Sequence, residues 1–353
     1  MMANIWKRLT YRIGAAKFIG IQLIYSLLCF FNKKNKLIVI FAKNSEQFRN
    51  IPLLCDSLRR NDIAFCEIDQ KVSLKNIFVL SQAKIVCIDQ ATSLTSNISL
   101  SDSTEVIQLW HAGGAYKKVG FDASDGSISD FKRIRRVHGN TKWMIITSNN
   151  LKYIYANAFH IPYEKILPLG MIRTDLYFKC CKKRKNNKLV LFAPTFRTCD
   201  KQRTVAWAEQ VILDFKKKLR KYDYDLVVRL HPSVANQLSI DSELNWSDRD
   251  LTDCLGRISV LVTDYSSIFF DFSLFNGRIF WYIKDIEDYE NERGVYFNPL
   301  IDYPAYADKD LDDLVEKIAK NNNNNCKHIR ERFMNSCDGH STQRIVSFIK
   351  SLL

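Results

Sequence analysis

Val260-Leu-Val-Thr-Asp-Tyr-Ser-Ser-Ile-Phe-Phe-Asp-Phe272 reads as a buried strand that empties into a short polar turn and restarts as a helix. The β-branched apolar run stops at Thr263-Asp264-Tyr265-Ser266-Ser267, and the apolar helical pattern that follows carries one acid, Asp271. Free N–H groups at a helix start, with the Ser266 and Ser267 hydroxyls beside them, offer a seat for a phosphate. The plainer alternative is that Ser266 only caps the helix. Two further stretches place a histidine where a strand should end: Val106-Ile-Gln-Leu-Trp-His-Ala-Gly-Gly-Ala-Tyr-Lys-Lys-Val-Gly120 and Tyr224-Asp-Leu-Val-Val-Arg-Leu-His-Pro232. Open α/β sheets bind ligands outside the carboxyl ends of their strands. His111, Arg229 with His231, and Asp264 to Ser267 are therefore expected to share one cleft.

Working outward, strands and helices alternate. Strands are expected over 36–42, 64–69, 84–89, up to His111, and over 143–148, with helices over 48–60, 74–81 and 151–159. The lysine-rich segment 180–188 is the linker candidate. After it the pattern restarts with strands over 189–193, 225–230, 259–263 and 279–283, and helices over 205–219, 311–320 and 345–353. Asn321 to Asn325 is a low-complexity loop. Short βα connections predict parallel, doubly wound sheets. The expected organisation is a helical segment over 1–35, an α/β domain over 36–180 and a second over 181–353, whose last helix can pack back on the first.

Charge narrows the partners. The chain has 353 residues, 52 Lys+Arg against 38 Asp+Glu, and a net charge of +14. Lys7, Arg8, Arg12, Lys17, Lys33, Lys34 and Lys36 fall in the first 36 residues, which hold no acid. Between them Phe18 to Phe31 is apolar but shorter than the roughly 20 residues that span a bilayer, and no small-residue cleavage site follows. A basic, amphipathic helix lying on an anionic membrane surface is expected; a core helix opening the first domain is the alternative. Further basic clusters occur at 132–136, 179–188 and 216–221. With no nucleic-acid-binding motif present, nucleic acid is not an expected partner. The ten cysteines lack CxxC spacing and read as reduced thiols of a cytosolic protein, with no zinc site.

Taken in order, Gln108-Leu-Trp-His111 with Lys117-Lys-Val-Gly120, Ala193-Pro-Thr-Phe-Arg197, Arg229-Leu-His-Pro232, Thr263-Asp-Tyr-Ser-Ser267, Arg293-Gly-Val-Tyr-Phe297 and Asp338-Gly339 form a set. The set resembles the CDP-glycerol glycerophosphotransferase family of teichoic-acid and capsular polyol-phosphate transferases. The resemblance runs from about Leu37 onward. It implies two Rossmann-like domains facing a cleft, of the glycosyltransferase-B type. It also implies a CDP-glycerol or CDP-ribitol donor held mainly by the C-terminal domain. A lipid-linked or polymeric polyol-phosphate or saccharide acceptor would lie on the N-terminal side. Peripheral attachment to the cytosolic face of a bacterial membrane is implied too. Two positions depart from the pattern: Ala112 stands where many relatives have glycine, and Ser259 where an acid is common.

The implied reaction is attack of an acceptor hydroxyl on the β-phosphorus of a CDP-polyol, with release of CMP. Such a hydroxyl needs a base titrating near neutrality; His111 is the candidate, and the family implies an essential histidine here. Gly113 and Gly114 allow close backbone approach, with Lys117 and Lys118 on the same acceptor-side loop. His231 and Arg229 would stabilise charge on the phosphoryl oxygens. Thr195, Arg197, Thr263, Asp264, Ser266 and Ser267 are the further donor and phosphate candidates, Asp264 chiefly as an orienting group. No acidic cluster suggests a divalent metal, so neither metal nor cofactor is expected. His138, His160, His328 and His340 are read as structural. A nucleotide-sugar glycosyltransferase of the same fold and a non-catalytic polyanion-binding protein are the alternatives.

Overall fold

The computed structural model describes residues 18–41, 50–180, 186–195, 201–230, 235, 237 and 240–353. The chain forms two compact units. The first takes in the described residues up to His111, Val119–Arg173 and His340–Leu353; the second comprises Ala112–Lys118 and Thr174–Gly339.

In the first unit, residues 18–31 form helix α1, which leads into β1 (Asn35–Phe41). Then come α2 (Asn50–Arg60), β2 (Phe65–Ile68), α3 (Leu74–Gln82), β3 (Ala83–Ile88) and β4 (Glu105–Gln108). α4 (Ile128–His138), β5 (Trp143–Ile145), α5 (Lys152–Phe159) and β6 (Ile166–Leu167) follow. The strands are parallel, in the order β2-β1-β3-β4-β5-β6. Side chains alternate across a strand, and the two faces are both covered. Ile38, Ile40, Ile85, Cys87 and Ile107 pack with Ile51, Leu54 and Leu58 of α2. Val39, Val86, Ile88 and Val106 pack with Ile21 and Tyr25 of α1 and Ile77 and Leu80 of α3.

The second unit holds α6 (Asp175–Cys180), β7 (Asn186–Ala193), α7 (Lys201–Arg220), β8 (Asp225–Val228), α8 (Leu251–Arg257), β9 (Ile258–Thr263) and α9 (Ile268–Phe272). It continues with β10 (Arg278–Tyr282), α10 (Ile286–Glu292), α11 (Pro299–Asp302), β11 (Ala307–Asp308), α12 (Leu311–Lys320) and α13 (Cys326–Phe333). The parallel order is β11-β10-β9-β7-β8. One face is sealed by Ile212, Phe215 and Leu219 of α7 and Leu314 and Ile318 of α12. Both sheets therefore wind alike: the strand order reverses between β1 and β3 in one and between β7 and β9 in the other. Such reversals open the crevice in which α/β sheets hold ligands.

Helix α14 (Ser341–Leu352) returns to the first unit. Its Ile345, Val346 and Ile349 join the α2 face, and Lys350 Nζ donates to Asn61 Oδ1 at 2.9 Å.

Several strands end earlier than their apolar patterns predict: β4 stops at Gln108 rather than at His111, and β8 at Val228. α4, α10 and α13 were not expected. α4 carries Ile128, Phe131, Ile134 and Val137 at near-helical spacing but buries only Ile134; a Ser127 cap, Asp130 in its first turn and three bases in its last help to hold it. The segment read as a linker is structured at both ends, with α6 reaching Cys180 and β7 starting at Asn186. Cys55, Cys87, Cys254, Cys326 and Cys337 are buried free thiols.

Candidate functional site

In the first unit, the candidate residues gather where β3 and β4 end. The Gln108 side chain accepts from the Trp110 amide at 3.0 Å, and Trp110 turns into the left-handed region (φ 57°). That conformation costs a non-glycine residue about 1–3 kcal/mol and persists only when its surroundings hold it. Asn50, fully buried at the start of α2, does the holding. Its Nδ2 donates to the Trp110 carbonyl at 2.9 Å, and its Oδ1 accepts from the Arg173 amide at 3.1 Å. Arg173 in turn donates through Nη1 to the His111 carbonyl at 2.6 Å. The Trp110 and His111 rings lie 4.8 Å apart.

The imidazole of His111 is fixed by a hydrogen bond of 3.1 Å between Nδ1 and the Asp89 carbonyl at the end of β3. A carbonyl only accepts, so Nδ1 carries the proton and Nε2 presents its lone pair. Burial pushes the imidazole below its ordinary pKa; the Asp89 carbonyl opposes this and the Arg173 charge adds to it. The Asp89 carboxyl is itself buried, and burial raises it to about 7. Neither Asn50, Asp89 nor Arg173 stands out in the sequence, because each acts through a tertiary contact.

The loop after His111 groups with the second unit. A Cβ on Gly114 (φ +57°) would lie 2.2 Å from the Phe270 ring, and one on Gly113 would lie 2.8 Å from Met334 Sδ. The loop pairs with the Arg293–Phe297 motif: Lys117 bridges Val295, the Lys118 amide donates to the Gly294 carbonyl at 3.0 Å, and the Tyr296 amide to that of Tyr116 at 2.7 Å. This pairing is a physical reason for those two motifs to occur together. Lys117 Nζ sits 5.7 Å above the Tyr289 ring, which stacks on Tyr265 at 3.6 Å.

Thr195, Thr263, Asp264, Ser266 and Ser267 meet at the β7/β9 reversal. Thr263 Oγ1 donates to the Ala193 carbonyl at 2.6 Å, and Asp264 Oδ1 accepts from the Thr195 amide at 2.7 Å. Asp264 thus ties the two strand ends together, while the Thr195 hydroxyl is buried with no hydrogen-bond partner among the described residues. Ser266 Oγ accepts from the Ile268 amide at a long 3.4 Å, and Ser267 makes no side-chain cap. Helix α9 has only five residues, too few for a substantial dipole, so any phosphate seat here rests on hydroxyls and individual N–H groups. Arg229 commits Nη1 to the Trp246 and Arg249 carbonyls at 3.1 and 2.6 Å. His231 and Arg197 lie outside the described residues.

A separate groove of about 550 Å³ in the first unit, lined by Arg135, His138, Lys142, His160 and Lys165 among others, takes in none of the candidate catalytic or donor-binding residues. Among the described residues, no cluster of three or more His, Cys, Asp or Glu side chains could hold a metal ion.

Comparison with known proteins adds the family. The model of CDP-glycerol:poly(glycerophosphate) glycerophosphotransferases matches residues 31–351. The teichoic acid glycerol-phosphate primase of Bacillus subtilis (strain 168) is 30% identical over 297 residues, covering 79% of this chain and 77% of the relative. The teichoic acid ribitol-phosphate primase of Bacillus spizizenii is 29% identical over 301 residues, with the same coverage of 79% and 77%. Among solved structures, a histidine-to-alanine variant of the wall teichoic acid polymerase TagF superposes with a TM-score of 0.71 at 18% identity, over 99% of this chain and 98% of that one. That likeness concerns the fold.

Proposed function

The chain belongs to the CDP-glycerol:poly(glycerophosphate) glycerophosphotransferase family, and from that premise we propose how its residues carry out the transfer. The protein is a polyol-phosphate transferase of teichoic acid biosynthesis. Its donor is a CDP-activated polyol, CDP-glycerol or CDP-ribitol, and its acceptor is a lipid-linked or polymeric polyol-phosphate. His111 Nε2 takes the proton of the acceptor hydroxyl as its oxygen attacks the β-phosphorus. The bond from that phosphorus to the bridging oxygen breaks, and CMP leaves with the electron pair.

The observation that carries this reading is the Nδ1–carbonyl bond of His111, which leaves Nε2 unprotonated and aimed by a fixed ring. The donor's diphosphate is assigned to the β7/β9 reversal. There the buried Thr195 hydroxyl and the Ser266 and Ser267 hydroxyls gather about the Asp264-tied strand ends. Arg229, Arg197 and His231 remain the cationic and acid–base candidates for the donor. Gly113, Gly114, Lys117 and Lys118 are assigned to the acceptor loop. A glycosyltransferase-B arrangement of the two units belongs to the same proposal, as does transfer without a metal or cofactor.

Location follows from α1. Ile21 and Tyr25 are buried, whereas Leu23, Leu27, Phe30 and Phe31 are 66%, 60%, 83% and 73% exposed. We assign this apolar face to an anionic membrane surface on the cytosolic side, with Lys33 at its end and Arg136 of α4 over the Phe18 ring at 5.6 Å. No helix among the described residues is long and apolar enough to cross a membrane.

The decisive test incubates the protein with CDP-glycerol, CDP-ribitol and UDP-sugars plus a lipid-linked acceptor, and follows nucleotide release. CMP from a CDP-polyol, abolished in His111→Ala, is expected. UDP release alone would assign the protein to sugar transfer instead. Sedimentation with anionic vesicles should be lost in Leu23→Glu/Leu27→Glu; retention would remove α1 as the docking face.

A further inference from the structure

We infer that Arg173 is a positioning residue for the transfer, acting through His111: it fixes the histidine's backbone and keeps a permanent positive charge beside its ring. The inference rests on His111 being the base and goes beyond it, since Arg173 lies outside the motif set and is 62 residues away in sequence.

Geometry comes first. One asparagine–arginine pair holds two successive carbonyls: Asn50 grips Trp110, and Arg173, whose amide is bonded to the same asparagine, grips His111. The left-handed turn at Trp110 is thereby fixed on both sides, and with it the direction in which the imidazole leaves the chain. A frame this close to the reacting group matters because a displacement of about 1 Å can cost roughly a hundredfold in rate.

Charge comes second. The Asp89 carbonyl on Nδ1 and the Arg173 guanidinium both act on the imidazole, and the same guanidinium also acts on the Asp89 carboxyl. The guanidinium does not titrate in the working range. Together with burial it disfavours the imidazolium, so the ring is a free base at neutral pH. A proton taken from the acceptor hydroxyl onto Nε2 sits beside a fixed cation and is given up readily to solvent after the transfer.

The experiment uses the full chain and two variants, Arg173→Gln and Arg173→Lys. It follows the His111 ring by NMR titration in the resting protein, and CMP release from CDP-glycerol with a lipid-linked acceptor as a function of pH. In Arg173→Gln the His111 midpoint and the acid limb of the rate profile should both move up by about half a unit or more, because a like charge has gone. The rate at its plateau should fall by about tenfold or more. Arg173→Lys keeps the charge, so the midpoint should stay at the parent value while the plateau falls, its shorter, non-planar head losing the carbonyl contact.

An unshifted midpoint in Arg173→Gln, or a Lys variant that titrates like the Gln variant, would overturn the inference. If Arg173→Gln fails to fold, Arg173→Met, which also removes the charge, takes its place in the same titration and must show the same upward shift. The titration needs no turnover. A chain that releases no CMP yet shows the shift would refute His111 as the base of this reaction while leaving the influence of Arg173 on the ring established.

Discussion

Replacing Asn50 with alanine should lower stability and turnover together. The side chain is fully buried, and its amide satisfies two backbone groups, the Trp110 carbonyl at 2.9 Å and the Arg173 amide at 3.1 Å. A buried polar group deprived of its partner costs about 1–3 kcal/mol, and two of them give a loss of about 2–6 kcal/mol. Against a typical total of about 5–15 kcal/mol, the variant still folds. Its Trp110 turn loses the contact that offset the left-handed backbone, so His111 is no longer aimed, and CMP release should fall by about a hundredfold. Asn50→Asp separates the two effects. It keeps an acceptor for the Arg173 amide but sets a carboxylate oxygen against the Trp110 carbonyl, so turnover should suffer more than stability. Urea melts and CMP-release assays on the same preparations measure both. A variant destabilised by more than about 2 kcal/mol yet fully active would show that the Asn50 frame supports the fold but not the base.

His111→Ala should reduce turnover at least about a hundredfold with donor binding kept, as measured by CMP release and CDP-glycerol titration. Because burial holds the His111 imidazole below its ordinary value, the parent rate should stay on its plateau at neutral pH and fall only below about pH 6.5. His138, pushed down to about 4 chiefly by burial and further by Arg133, binds a proton more weakly folded than unfolded. Stability is therefore full above about pH 6.5 and declines as pH falls toward 4, by at most about 3 kcal/mol; urea melts of His138→Gln against pH should show a correspondingly flatter slope. Gly114→Ala should destabilise the acceptor loop by more than about 2 kcal/mol, since its Cβ would fall 2.2 Å from the Phe270 ring at a positive φ; an unchanged melting temperature would contradict the packing.

Much of the architecture was legible because buried parallel strands announce themselves as β-branched runs, as at 38–40, 85–88 and 258–263. α4 reads only as a basic cluster at 132–136, although Ile128, Phe131, Ile134 and Val137 recur at near-helical spacing; its cap and terminal charges are visible only once the turn before it is known. The site was legible only in part. His111 stands near a strand end before two glycines, a local signature. Asn50, Asp89 and Arg173 are brought to it from α2, β3 and the segment after β6, and nothing near them in sequence marks the convergence. Arg229 reads as a phosphate contact from its residue type and its place at a strand end in the Arg229–Pro232 motif; the bonds from Nη1 to two carbonyls of its own unit could not be read there. Ser266 and Ser267 sit where expected, but the helix they introduce is a single short turn and a half.

Helix α14 sets a timetable for biosynthesis. Ile345, Val346 and Ile349 complete a layer whose other members, Ile51, Leu54 and Leu58, are made almost three hundred residues earlier. Domains generally fold in order as they leave the ribosome, but the earliest-made sheet here keeps one apolar flank uncovered until the second unit has been translated. A nascent chain stalled before Ser341 should recruit chaperones through that flank, and release of the final helix should end the attachment.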